Sequence, residues 1–129
     1  MSLFDFLNPF VPERYYEQRR TQQKSSVPRF FQIMSRYDSR LNEPRPVKFF
    51  FYGKTMGDAI SLRQDLQKLG YEVYGIENSV KSRLSIAGVT PPMSLEETDF
   101  KKWVGKMNDL GFINDCCFDG WGILTILQD

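Results

Sequence analysis

The apolar positions along the chain switch between two periods. After Pro44-Arg45-Pro46, where each proline fixes its own φ and restrains the residue before it, Val47-Lys48-Phe49-Phe50-Phe51-Tyr52-Gly53 is aromatic and β-prone. Its near-continuous apolar character predicts a strand covered on both faces. From Thr55 the period lengthens: Ala59, Leu62, Leu66 and Leu69 form one helical stripe. Thr55 suits the helix cap, Asp58 the acidic first turn, and Gly70 the left-handed stop. Tyr71 to Ile76 then alternates as a second strand.

The second half repeats the plan. A strand is expected over 83–89, a turn at Pro91-Pro92, and a capping box from Ser94 and Glu97. Phe100, Trp103 or Val104, Met107 and Leu110 supply the next stripe, with Gly111 closing the helix. Phe112-Ile113 leads into a strand running through Cys117 and continuing over 123–127. Leu69-Gly70-Tyr71 and Leu110-Gly111-Phe112 thus read as equivalent joints. The order β-α-β-β-α-β predicts an α+β, ferredoxin-like sandwich over residues 43–129, an antiparallel sheet with two helices on one face.

Residues 1–42 read as a helical extension of one or two helices. Residues 13–24 are polar and suit an exposed helix; after Ser25-Ser26, Pro28 fits a first helical position. Phe30, Phe31, Met34, Tyr37 and Leu41 then make a stripe that either packs on the domain or offers a partner groove.

At 129 residues the chain has room for one domain, and 41% apolar with 15% aromatic content makes it globular. No apolar run approaches the ~18 residues of a membrane span. The N-terminal MSLFDFLNPF is interrupted by Asp5 and has no basic lead, so a secretory signal is not expected and the cytoplasm is. The net charge of +1 is unevenly spread: residues 1–48 carry nine Lys/Arg against five Asp/Glu, residues 49–129 eight against eleven. A solvated helix explains the basic part; an acidic or RNA surface is the functional alternative.

Histidine is absent, which removes the usual general base near neutral pH, the His-activated nucleophiles and the commonest metal ligand. No cofactor or metal is expected. Cys116-Cys117 admits three readings: a strained vicinal disulfide, part of a metal site lacking further ligands, or two small buried hydrophobes facing opposite sides of a strand, with only one needed in the core. Asp115 and Asp119 disfavour a thiolate there. The last reading is the preferred one. In Asp119-Gly120-Trp121-Gly122 the flanking glycines suggest a bulge that re-aims the ring, with Asp119 bonding the bent backbone; the alternative is an exposed Trp121 as an interaction hot spot. Glu96-Glu97 and Asp115 with Asp119 suit a helix start and a turn better than acid–base catalysis, and Gly53 and Gly57 form no phosphate loop.

Three stretches in order carry a resemblance. Glu43-Pro44-Arg45-Pro46-Val47 leading into the aromatic strand, Leu69-Gly70-Tyr71-Glu72-Val73, and Phe118-Asp119-Gly120-Trp121-Gly122 together resemble the regulator of ribonuclease E activity B family. The resemblance spans about residues 30–127. It implies a ferredoxin-like fold and a non-enzymatic inhibitor that binds the scaffold region of ribonuclease E and alters RNA decay. Pro44, Arg45, Pro46, Gly70, Tyr71, Asp119, Gly120 and Trp121 are then structural signature residues. The expected partner contacts are Arg14, Arg19, Arg20, Phe30, Phe31 and Trp121. A second reading is direct RNA contact through Arg14, Arg19, Arg20, Lys24 and Arg29, with Tyr15 and Tyr16 stacking on bases. A third is an immunity-type module that neutralises another protein.

Overall fold

The computed structural model describes residues 9–38, 41, 43–79 and 82–123. Helix α1 (Glu13–Met34) precedes β1 (Val47–Gly53), α2 (Met56–Lys68), β2 (Glu72–Asn78), β3 (Leu84–Val89), α3 (Glu97–Ile113) and β4 (Cys117–Ile123). The strands form one antiparallel sheet in the order β2-β3-β1-β4. The protein is therefore α+β. The strand continuation expected over 124–127 lies outside the described residues.

Burial along β1 alternates. Val47, Phe49, Phe51 and Gly53 are buried, while Lys48 and Tyr52 are half-buried and Phe50 keeps 38% of its surface. The strand is covered on one face, not two. An antiparallel sheet with its helices on one side leaves the other open. Phe50 falls on that side, so three consecutive phenylalanines do not mean three buried ones. Ala59, Leu62 and Leu66 of α2 join Phe100, Trp103, Val104 and Met107 of α3 in a single cluster with Phe49, Phe51 and Ile86. Leu69, expected in the α2 stripe, is 56% exposed, because the helix has ended one residue earlier.

Both helices of the core end in the same way, the first at the glycine the sequence suggests and the second four residues beyond its own. After α2, Gly70 takes φ +82°, its N–H donates to Gln67 O at 3.0 Å, and Tyr71 N–H donates to Leu66 O at 3.1 Å. That is a Schellman motif with a tyrosine in the apolar position after the stop. After α3 the left-handed residue is Asp115, φ +53°, with Asp115 N–H to Phe112 O at 3.0 Å and Cys116 N–H to Gly111 O at 2.8 Å. Gly111 is not the stop, and Phe112 and Ile113 are still helical. Gly111 is glycine for another reason: a Cβ there would lie 2.8 Å from Cys116 O and 3.1 Å from the Phe51 ring. Aspartate tolerates the left-handed region better than most residues.

The start of α3 also differs. Glu96, not Ser94, is the cap, accepting from Thr98 N–H at 3.0 Å and Asp99 N–H at 3.2 Å. Leu95 before it and Phe100 after it are both buried, the spacing of a hydrophobic staple, and this fixes where the helix begins. The two N–H donors, that of Thr98 foremost, hold the Glu96 carboxylate below its usual range. A lowered folded-state pKa means the contribution is complete above the unfolded value of about 4.3 and is lost as pH falls through the folded value. Glu96→Gln should therefore be less stable than wild type at pH 7, the difference closing towards pH 3. Denaturant melts at both pH values check this; a difference that does not change with pH rules out the charged cap.

Of the two alternatives for this extension, the structure has the single one: α1 is one continuous helix that carries both the polar stretch and the aromatic stripe. Pro28 lies inside it. Proline offers no N–H to the carbonyl four residues back. Just before it, the Ser25 and Ser26 hydroxyls donate to Gln22 O and Gln23 O at 2.9 and 2.7 Å. Burial of Val27 and the aromatic contacts of Phe30 and Phe31 anchor this half of the helix. Tyr37 is 79% exposed beyond the end of α1, whereas Leu41 is buried in the core cluster.

Candidate functional site

The basic face of α1 is bound to the rest of the protein. Arg19 Nε donates to Phe118 O at 3.0 Å, and Gln23 Nε2 donates to the same oxygen at 3.0 Å. The Arg19 guanidinium also reaches Asp119 O and Asp119 Oδ1, each at 3.3 Å. β4 is an outer strand of the sheet, and its outward carbonyls are taken up by side chains of α1 instead of another strand, which protects that edge. One residue along, Arg20 Nε donates to Asp109 Oδ1 at 2.9 Å, and its guanidinium lies over Gly105, where a Cβ would come within 2.7 Å. Tyr16 donates to the same carboxylate and stacks on Phe112 with centroids 4.3 Å apart. The acceptor Asp109 pushes the Tyr16 phenol pKa up. Arg14 and Arg29 are exposed and Lys24 is half-buried.

Trp121 owes its direction to a bulge. Phe51 pairs with Phe118 and Phe50 with Gly120, so Asp119 is the extra residue between them. Strict alternation would send Phe118 and Trp121 to opposite faces. The added residue puts both on the helix-bearing face, and Gly120 takes φ +142° to allow it. Trp121 then packs edge-on to Phe30 at 5.7 Å and Phe100 at 5.6 Å, and stacks on Phe118 at 6.3 Å. Its Nε1 is buried without a hydrogen-bond partner among the described residues. The Asp119 carboxylate serves Arg19 and not the bent backbone.

The other signature residues hold joints. Arg45 is buried, pairs through two nitrogens with Asp38, and exchanges backbone hydrogen bonds with Met93 at 3.0 Å each. Pro44 is exposed and Pro46 half-buried beside it. The Tyr71 hydroxyl accepts from Trp103 Nε1 at 3.1 Å, while its ring lies 5.7 Å from Phe49.

Both cysteines are free thiols and both are buried, with Cys116 alone of the two in the core cluster. Cys116 faces the core beside Gly53, and burial, with Asp58 nearby, pushes its pKa up to about 12. Such a thiol is inert near neutral pH. Cys117 pairs with Tyr52 on the opposite face and is covered there by the segment leading into α1. Asp115 fastens that segment: its carboxylate accepts from Phe10 N–H at 3.0 Å and Val11 N–H at 2.8 Å. The cover could not be read locally, since 104 residues separate Val11 from its anchor.

The feature missed in the sequence is the outer face of the sheet. Phe50 sits between Gly120 on β4 and Ala87 on β3, and Ala87 is followed by Gly75 on β2. Nothing lies within 4 Å of the Cβ positions of Gly75, Gly120 and Gly122. An aromatic ring thus stands on a surface of small residues, with Lys48 in the next row and Tyr74, 57% exposed, at the β2 bulge. The signal was present in the period of two: if Phe49 and Phe51 face in, Phe50 faces out. Among the described residues no group of His, Cys, Asp or Glu could hold a metal ion, and no helix is long and apolar enough to cross a membrane.

Residues 30–123 match the family model described as "Regulator of ribonuclease activity B". No curated protein matches the chain significantly.

Proposed function

This chain belongs to the regulator of ribonuclease activity B family, and on that premise we propose that it is a non-enzymatic, protein-binding regulator whose target is a ribonuclease E-type enzyme of the cytoplasm. The match over residues 30–123 carries the reading. The absence of histidine from the whole sequence supports a role without catalysis. The alternation β-α-β-β-α-β and the sheet order support a ferredoxin-like core from residue 43 onward, with residues 1–42 as its helical extension.

The open sheet face is the docking surface in this reading, with Phe50 as its anchor and Lys48 beside it. Exposed aromatic anchors surrounded by small residues suit a partner side chain pressed flat against the sheet. Of Arg14, Arg19 and Arg20, Arg14 is the one that stays exposed for a partner. Arg19, Arg20, Phe30, Phe31 and Trp121 act through the position they give that helix.

The experiment uses purified ribonuclease E, its cleavage rate followed with increasing amounts of this protein. Wild type should slow cleavage and bind the enzyme. Phe50→Ala should weaken binding roughly tenfold or more while leaving the melting temperature nearly unchanged. No effect of wild type on the enzyme removes the proposed target. Direct RNA binding that falls steeply with salt would favour the RNA reading instead.

A further inference from the structure

The segment leading into α1 and the end of the sheet form an open cavity of about 310 Å³ that plays no part in the docking surface just described. Its lining includes Phe10, Val11, Tyr15, Tyr52, Arg83 and Cys117. The size is at the lower end of small-molecule sites and suits one flat, side-chain-sized group. The wall is fixed on three sides. Asp115 holds the Phe10 and Val11 backbones, β1–β4 pairing sets Tyr52 opposite Cys117, and the Phe10 ring meets the Tyr52 ring edge-on at 6.0 Å.

The polar side chains of the lining are few, a guanidinium, two phenol hydroxyls and a thiol, and all of them can donate. The Arg83 guanidinium lies 4.6 Å over the Tyr52 ring centroid. A guanidinium attracted to a ring face spends none of its N–H hydrogen bonds on a side-chain partner there, and its N–H edges match a carboxylate in two-pronged geometry. The Tyr15 and Tyr52 hydroxyls are 3.4 Å apart. One hydrogen can bridge them, and the other can turn between the Cys117 sulfur and a group that enters the cavity. Burial, followed by the bonds to Cys117 and Tyr15, pushes the Tyr52 pKa up, so it stays a donor at physiological pH. No acidic side chain lines the cavity among the described residues, and the nearby Asp115 carboxylate is taken up by two backbone N–H groups.

We propose that this cavity binds a carboxylate carried on a small flat apolar body, the anion held by Arg83 and the phenol hydroxyls and the body lying against Phe10, Val11 and Cys117. Two sources present that chemistry: a free aromatic acid, and the C-terminal residue of a peptide. The proposal does not depend on the identity of the protein partner.

Titration of the ¹⁵N-labelled full chain with phenylacetate, followed by NMR, tests it. Saturable shifts are expected at Phe10, Tyr15, Tyr52 and Cys117. Phenylacetamide, which has the same shape and no charge, should bind about tenfold more weakly or worse, as should phenylacetate to Arg83→Gln, since a charge-assisted pair is lost in each case. Arg83→Lys should retain part of the affinity. Arg83 is exposed, so its variants should fold, and unchanged spectra away from the cavity verify that. Acid and amide binding alike, an Arg83→Gln protein that binds like wild type, or no saturable shift at millimolar concentration each overturn the site. A Gly-Gly-Phe peptide with a free carboxylate, against its C-terminal amide, separates the sources. Tighter binding of the free-carboxylate peptide than of phenylacetate upholds the site as a reader of protein ends, and exclusion of the peptide upholds it as a site for a free acid.

Discussion

Gly88→Ala should leave the protein unfolded, or melting far below wild type, in a thermal scan followed by circular dichroism. The Cβ that alanine would add lies 2.1 Å from Glu72 O and 2.5 Å from the tip of the Phe49 ring. One neighbour is backbone of the next strand and the other is a fully buried aromatic, so neither has an easy way to give. Overpacking usually costs ~1–3 kcal/mol, and a contact this short against rigid atoms belongs at or above the top of that range. A domain has only ~5–15 kcal/mol in reserve. Relief requires β2 to move off β3, which also undoes the pairing of Val73 with Gly88. Gly75→Ala and Gly122→Ala are the controls, in the same sheet but with open space around the new methyl. Both should melt at or slightly above wild type, because alanine reduces the freedom of the unfolded chain by up to ~1 kcal/mol. If Gly88→Ala melts like its controls, the close approach of β2 to β3 is wrong.

Trp121→Ala should cost about 3 kcal/mol, at the lower end of the range for removing a packed large aromatic, because the side chain is half-buried. Its ring is the meeting point of three others: Phe30 from α1, Phe100 from α3 and Phe118 from its own strand. Loss of the ring should therefore loosen α1 as well as β4, and limited proteolysis should cut within 13–34 sooner than in wild type. A Trp121 exposed for recognition predicts the reverse: unchanged melting and lost partner binding. Denaturant unfolding decides between them, and a Trp121→Ala protein as stable as wild type refutes the packed role.

The two core helices and four strands were legible because each carries its period plainly. Thr55 caps α2 and accepts from Asp58 N–H at 3.2 Å, as its position suggests, and Gly70 ends the helix. The likeness of Leu110-Gly111-Phe112 to Leu69-Gly70-Tyr71 ends at Gly111, which lies inside its helix. The chemistry needed at a helix stop is tolerance of positive φ, and Asn114-Asp115 offered that three residues later, while Gly111 answered a steric demand from Phe51 that only the folded sheet creates. The DGWG stretch was legible as a bulge, since glycines flanking a large ring in a strand have few other uses. The fate of the basic residues was not. Arg19 and Arg20 look like a binding surface until residues about 90 to 100 positions away are brought beside them. Phe50 was hidden for the opposite reason, because its neighbours in sequence are buried and it is not.

That long reach has a consequence for how the protein is made. Much of what fixes α1 and the segment before it lies late in the described chain, in Phe100, Asp109, Asp115, Phe118 and Trp121. Until those residues are made α1 lacks much of the surface it lies on, and a polar helix with a proline inside it is marginal in water by itself. Docking of α1 brings together segments far apart in the chain, the kind of contact that forms slowly because a large loop must close first. The half-finished protein has β1, α2, β2 and β3 in hand but no β4. One side of β1 is then left unpaired, and the helix that will guard the finished edge is still loose.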